Sequence, residues 1–493
     1  MQTAMNIKLL KFLYAMLFAG SALLLTSCGD DDDDDEGNGP SETPQSQVLD
    51  DGTIQYNGTA DGTGSVTWTA DNQYLLNGFV FVNPGDTLTI EPGTIIRAKA
   101  SPDNGDPSSA LIVARGGYIM AEGTAQAPII FTAEADTDVN DPSDIPSGQR
   151  RGLWGGLIVL GNAQLNSDPG ETQIEGIPTS EERGLYGGSD DNDNSGVLQY
   201  VSIRHGGSEI GAGNEINGLT LGAVGSGTTI DYVEVIYNQD DGVEWFGGTA
   251  SAKHLVVAFS GDDSYDYDEG YRGKNQFLLA IDDTDDGDRG GEHDGGTDPE
   301  DGTPYTTPVF YNATYIGGGI PQDKRTITFR DNAGGEYHNS IFMEYGRGID
   351  IENLQSGEDS YSRFLNGELA FRSNVIYNIG SVDSAAVNIL TVQVDTGEED
   401  QDGDPIFATD DTANVTIRNA FANAFELANA MPIQGLSRTN DGGLNLLAAD
   451  IATSGAAAPG DSFFEAVDYR GAFGTVNWLS GWSYLSTNGY TTD

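Results

Sequence analysis

Thiol chemistry is almost absent from this 493-residue sequence, which contains one cysteine, Cys28. A single Cys forms no internal disulfide and no thiolate zinc site. Histidine is nearly as scarce: the four at 205, 254, 293 and 338 show no ligand spacing, which argues against zinc altogether. Basic residues are also few, 22 Lys and Arg against 77 Asp and Glu, for a net charge of −55. Such a surface repels nucleic acid and anionic headgroups, so nucleic-acid partners are excluded. No Gly-rich loop follows a strand and opens a helix, so no nucleotide or redox cofactor is expected. Only the N-terminus carries a long apolar run, and nothing else approaches the roughly 20 residues of a membrane helix.

That N-terminal run has the parts of an export signal. Lys8 and Lys11 precede an apolar core from Phe12 to Leu25, which ends at Leu25-Thr26-Ser27-Cys28 and gives way to acid from Gly29 to Glu36. A basic start, a short apolar core and small residues at a cleavage point describe a signal peptide over residues 1–27. The Leu-Thr-Ser-Cys ending resembles the lipobox of bacterial lipoproteins. The resemblance implies that Cys28 becomes the lipidated first residue and that acyl chains hold the protein on a membrane, several chains on one Cys giving a stable anchor. No thiol then remains free, which excludes a cysteine nucleophile. Residues 28–47, with six consecutive Asp followed by Gly, Asn, Pro, Ser and Glu, read as a disordered tether. An acidic run behind the lipidated Cys also resembles the surface-export signal of Bacteroidota lipoproteins, which implies the outer face of the outer membrane.

Beyond the tether, 37% hydrophobic residues, with 21 Tyr and 19 Phe, suffice for a core despite the acidity. The apolar residues come in short β-branched bursts, such as Leu111-Ile112-Val113 and Leu157-Ile158-Val159-Leu160, closed by Gly, Asp, Asn or Pro. The bursts repeat. Tyr232–Trp245 aligns with His254–Tyr267 at an offset of 22, Phe277–Ile281 continues the register, and Tyr200–His205 precedes it at an offset of 32. A period near 22 with two or three strands each predicts an all-β fold, a right-handed parallel β-helix over residues 48–410 with acidic loop insertions and roughly fifteen coils. Leucine-rich repeats need a Leu signature and a following helix, and propellers a period near 40; neither is present. End caps protect the open coils: Val66–Thr69 as a leading strand, and residues 411–493 as a C-terminal cap. Within that cap a short helix is expected over Asn419–Ala430, where Phe421, Phe425 and Ala428 share a face, followed by an aromatic tail.

Several stretches are more specific than the period: Trp68-Thr69-Ala70-Asp71-Asn72, Leu88-Thr89-Ile90-Glu91-Pro92-Gly93-Thr94, Arg151-Gly152-Leu153-Trp154-Gly155-Gly156, Ser202-Ile203-Arg204-His205-Gly206-Gly207 and Asp240-Asp241-Gly242-Val243-Glu244-Trp245. With the tail Trp478-Leu479-Ser480-Gly481-Trp482, the chain resembles a group of Bacteroidota surface lipoproteins with pectate-lyase-like β-helices. That resemblance implies fold and location and assigns no reaction.

Two chemistries remain open. Asn238, Asp240 and Asp241 fall one coil before Asp262 and Asp263, and Arg272-Gly273-Lys274 follows. This resembles the polygalacturonase pattern of carboxylates on neighbouring coils, where acid and base flank a glycosidic bond. The Gly-His-Gly of that pattern is missing: His205 comes too early and His293 falls in an expected loop. A lyase would need calcium, with Asp262, Asp263, Asp266, Asp268 and Glu269 as ligands and Arg272 or Lys274 as base. Asp residues also cap β-helix turns without any catalytic role. Calcium is expected at Asp282, Asp283, Asp285, Asp286 and Asp288, or at Glu398, Asp400, Asp402 and Asp404, where hard oxygen donors are closely spaced. The second group follows an alternate-ligand-then-Gly rule but lacks Glu at its twelfth position. The reading is a surface β-helix that binds glycan or another partner, with a polysaccharide-degrading enzyme on the same scaffold as the rival.

Overall fold

Three-to-five-residue bursts rich in Val, Ile, Leu and Phe suit strands, and the Gly, Asn and Asp between them suit turns. A computed structural model of the chain describes residues 45–211, 215–354, 357–399 and 405–491. Cys28, the 1–27 signal and nearly all of the 28–47 tether lie outside the described residues, as do Asp400, Asp402 and Asp404. In the described body the bursts stack as coils of a parallel β-helix with three faces.

On the first face, Ile54–Asn57, Gln73–Asn77 and Ile95–Ala98 begin a parallel ladder that ends at Asn374–Tyr377 and Phe425–Leu427. The second face is an 11-stranded sheet running from Phe79–Val82 through Val243–Phe246, Tyr265–Asp268 and Gly291–Asp294 to Leu390–Glu399. Its last strand, Pro405–Thr409, returns antiparallel. The third face starts at Val66–Trp68 and ends at Leu369–Arg372. Coils therefore number near eleven rather than fifteen, because long loops between rungs consume the difference. The registers match the repeat: Val201 pairs with Val233, 32 residues on, and Val233 with Leu255, 22 on. The next step, Leu255 to Leu278, is 23.

Third and first faces are continuous through bent strands such as Thr229–Ile236 and Ser251–Ala258. Each bend is one residue at positive φ: Tyr200 (49°), Tyr232 (55°), His254 (51°), Phe277 (63°). Bulky residues seldom adopt that conformation. Here the corner throws the ring outward, where Tyr200, Tyr232, His254 and Phe277 stack at 4.4, 4.1 and 5.0 Å. The interior holds Trp245 against Tyr271 (5.1 Å) and Tyr267 against His293 (4.0 Å). His293 is thus on a rung and inward-facing, not in a loop, and its Nε2 meets the Tyr337 hydroxyl at 2.6 Å.

The ends differ from expectation in three ways. Ser46–Val48 is the capping strand, antiparallel to Ile54–Asn57, whereas Val66–Trp68 is an ordinary third-face rung. The helix spans Asp411–Ala420, because Asp410 caps the amides of Thr412 and Ala413. Phe425 then opens a first-face strand instead of continuing that helix. Finally, the aromatic tail is a side wall rather than an end cap. The Ala457 carbonyl meets Asn339, the Ala472 amide Thr314 and the Tyr484 amide Glu234, so the tail runs back along the axis. It buries the outer side of the first face, where Val256, Leu279 and Ile316 pack with Leu444, Phe473, Leu479 and Leu485. Trp478 and Trp482 close edge-on over the stacked ring ridge.

Candidate functional site

Acidic residues gather where the first face turns into the second. The turn residues Asp241 and Asp263 point at the next coil: Asp241 Oδ1 accepts the Asp263 amide (2.9 Å), and Asp263 Oδ1 accepts the Arg289 amide (2.5 Å). Each carboxylate therefore caps the turn stacked upon it. On the rungs that follow, Glu244, Asp266 and Glu292 are in direct register at outward positions. Rungs lie about 4.8 Å apart, so two columns of carboxyl groups run side by side.

Ligand atoms of three groups lie within 4.8 Å of one another: Asp240, Asp241 and Asp262; Asp241, Glu244 and Asp266; Asp262, Asp263 and Asp288. A loop supplies Asn217, whose Nδ2 donates to Glu175 (2.7 Å) and to Glu244. Burial, reinforced by like-charged neighbours, pushes Asp241, Glu244 and Asp266 far above the usual carboxyl range. The same causes raise Asp240 to about 8, and burial raises Glu175 to about 7.

The columns are neutralised unevenly. Arg289 reaches Asp263 (3.1 Å), Asp288 (3.0 Å) and Glu292 (2.9 Å), and Arg330 reaches Glu292 (3.1 Å). Among the described residues no Lys or Arg pairs with Asp240, Asp241, Glu244 or Asp266. Closely packed buried carboxyl groups without a cation must share protons or bind a metal ion. Oxygen-only donors suit calcium, which takes six to eight oxygens; the three carboxylates bring one ligand atom each within reach, and water would complete the shell. The donor set fits, with Asp241, Glu244 and Asp266 as the buried group that would hold the ion.

A family model described as a pectate-lyase like beta helix domain matches residues 58–419. The chain belongs to the pectate-lyase-like β-helix family. Comparison with curated proteins and with solved structures gives no match. On this pectate-lyase-like scaffold the expected residues are only partly together. Asp240, Asp241, Asp262 and Asp263 converge, but Asp241 and Asp263 are buried as turn caps. Arg272 and Lys274 do not join them: Arg272 pairs with Asp191 (2.9 Å) and Lys274 with Asp461 (2.5 Å). Both lie beyond the far end of the second-face rung, where the strand has already crossed to the third face.

The expected calcium loop is dispersed as well. Asp282 is buried and accepts from Ser264 (3.2 Å), while Asp283 and Asp286 hold Arg151 at 3.9 and 2.5 Å. Asp285 joins none of the three groups, and Asp288 alone joins Asp262 and Asp263. Glu398 lies near the end of a strand, and its expected partners Asp400, Asp402 and Asp404 lie outside the described residues. Sequence reasoning missed Glu244, Glu292, Glu175 and Arg289. The first was visible: Val243-Glu244-Trp245 aligned on Tyr265-Asp266-Tyr267 places both acids outward. Arg289 is the cation that matters here. Arg289→Ala leaves Asp263 buried without its ion pair, with an expected loss of about 2–4 kcal/mol in urea unfolding.

Proposed function

We propose that the chain is a lipid-anchored cell-surface protein that binds an extracellular glycan or another surface partner through its β-helix, with calcium held structurally in the acidic turns. The carrying observation is the buried, uncompensated group Asp241, Glu244 and Asp266. It has the donors for a structural cation, and its three side chains are buried. The first face is closed by the chain's own tail, which leaves the far part of the second face as an accessible flank. No helix among the described residues is long and apolar enough to cross a membrane. The lipobox and the acidic tether support a Bacteroidota-type surface lipoprotein.

A second reading, a polysaccharide lyase or glycoside hydrolase, has one observation in its favour. Asp262 is exposed, and Asp240, raised to about 8, stays protonated at neutral pH as a general acid must.

The full chain in detergent micelles, run through native gels containing polysaccharides with calcium or with chelator, tests the binding reading. Retardation by a glycan is expected, strongest with calcium; no retardation by any glycan would leave only a protein partner. Cys28→Ser should abolish incorporation of labelled palmitate and release the protein from the membrane fraction.

A further inference from the structure

Past the arginine-matched end of the acidic columns the second face opens into a groove of about 340 Å³. Its floor follows from register. Glu292 pairs with Thr328, Thr328 with Asp350, and Glu352 with Gln393. Thr328 interrupts the carboxylate column with a short side chain, and the space it leaves becomes the groove. The walls are Arg325, Arg330, Asp350, Glu352, Gln393 and Phe407. Phe407 reaches over from the Pro405–Thr409 strand and is 44% exposed. In a chain that buries its rings in stacks, Phe407 and Tyr118 are the only aromatics among the exposed large hydrophobics of the described residues.

The charge pattern selects the ligand. Every arginine in the groove already has a carboxylate: Arg325 has Asp350, Arg330 has Asp294 (2.8 Å) and Glu292 (3.1 Å), and Arg289 has three. An anionic ligand would have to displace one of these carboxylates and then sit beside the rest. A free cation would meet the arginines. Vicinal hydroxyls avoid both conflicts, because each donates and accepts: carboxylates take their protons while Arg and Gln393 donate to their oxygens. The apolar face of a sugar ring then has Phe407 to rest on. The volume falls within the roughly 300–1,000 Å³ of small-molecule clefts.

We infer that this groove is a subsite for a neutral sugar unit of a glycan, with Phe407 as its stacking platform and the Arg325–Asp350 and Gln393–Glu352 pairs as its hydroxyl readers. The inference rests on the glycan-binding reading and narrows it from glycans at large to uncharged ones. Because Phe407 is exposed, its replacement leaves the core intact.

The test runs the full chain in detergent micelles through gels containing laminarin, mannan, xylan or dextran, with polygalacturonate and alginate as uronate probes. At least one neutral polymer should retard the wild type. Phe407→Ala should weaken that retardation about tenfold, and Phe407→Trp should restore it. Retardation by a neutral polymer that Phe407→Ala leaves unchanged overturns the subsite but keeps the glycan-binding reading. Retardation confined to the uronates overturns the choice of a neutral sugar. No retardation by any polymer overturns both.

Discussion

Chelating divalent cations should lower the thermal midpoint by about 3 °C at pH 8, and the deficit should shrink as the pH falls toward 5. The size follows from linkage: a site of about 10 µM, saturated at 1 mM calcium, stabilises the folded state by about 2.7 kcal/mol, which is a few degrees in a chain this long. The pH dependence follows from the carboxyl groups. In the cation-free protein, Glu175, Asp268 and Asp282 are raised to about 7, and Asp240 and Glu352 to about 8, from ordinary values of 3.8 and 4.5. Between those limits the folded state holds protons that the unfolded chain has released, so its stability rises as the pH falls from about 8. His205 and His293 oppose this, since burial lowers them to about 4 and about 3. Below an unfolded value of about 6.5 they take up protons only on unfolding, which subtracts part of that gain as the pH falls further. The five carboxyl groups outnumber the two histidines, so the chelated protein should go on gaining stability down to pH 5, less steeply below about 6.5. With calcium the ligand carboxylates remain ionised, and protons compete with the metal only at lower pH. Calorimetric scans from pH 5 to 8, with calcium and with chelator, check this. Coincident midpoints at pH 8 would show that the acidic columns hold protons rather than calcium.

Trp245→Ala should cost about 3–5 kcal/mol, the range for removing a large ring from a packed core. Trp245 is fully buried inside the helix, 5.1 Å from Tyr271 and 6.2 Å from Tyr265, at the same coil level as the acidic columns. Its Nε1 has no hydrogen-bond partner. Trp245→Phe should then cost far less, about 1–2 kcal/mol, because the lost volume is offset by removal of an unsatisfied donor. Urea unfolding of the three proteins tests both statements, and equal losses for Ala and Phe would contradict the packing argument.

The coil geometry was legible because β-helix stacking writes itself into sequence: aligning Tyr232–Trp245 on His254–Tyr267 reproduces the observed strand pairing without adjustment. The same alignment carried the clustering of Asp240, Asp241, Asp262 and Asp263. What it could not carry were partners from distant segments. The tail that covers the first face meets Glu234 from Tyr484, 250 residues away, and no local pattern encodes that contact. Arg272 and Lys274 looked close to the acidic turns along the chain, yet each coil turns its corner between them, and they end against Asp191 and Asp461. The Asp282–Asp288 loop drew attention by composition alone. Two of its acids turned out to serve Arg151, whose place beside them depends on a loop inserted several coils earlier. The helix was misplaced for a local reason: the Ala-rich stretch after Asn419 has good helix propensity, but the cap that starts the helix is Asp410, and first-face pairing claims Phe425.

On the proposed reading, this pectate-lyase-like β-helix binds a glycan without reacting with it. The most direct measurement incubates the full chain with polysaccharides it retains, in calcium, and reads new reducing ends and unsaturated ends over hours. The account predicts retention with no product above the buffer control, and the same result for Asp262→Ala and Asp263→Ala. Product formed by the wild type and lost in those two variants would contradict it and make the converging turn carboxylates an active site.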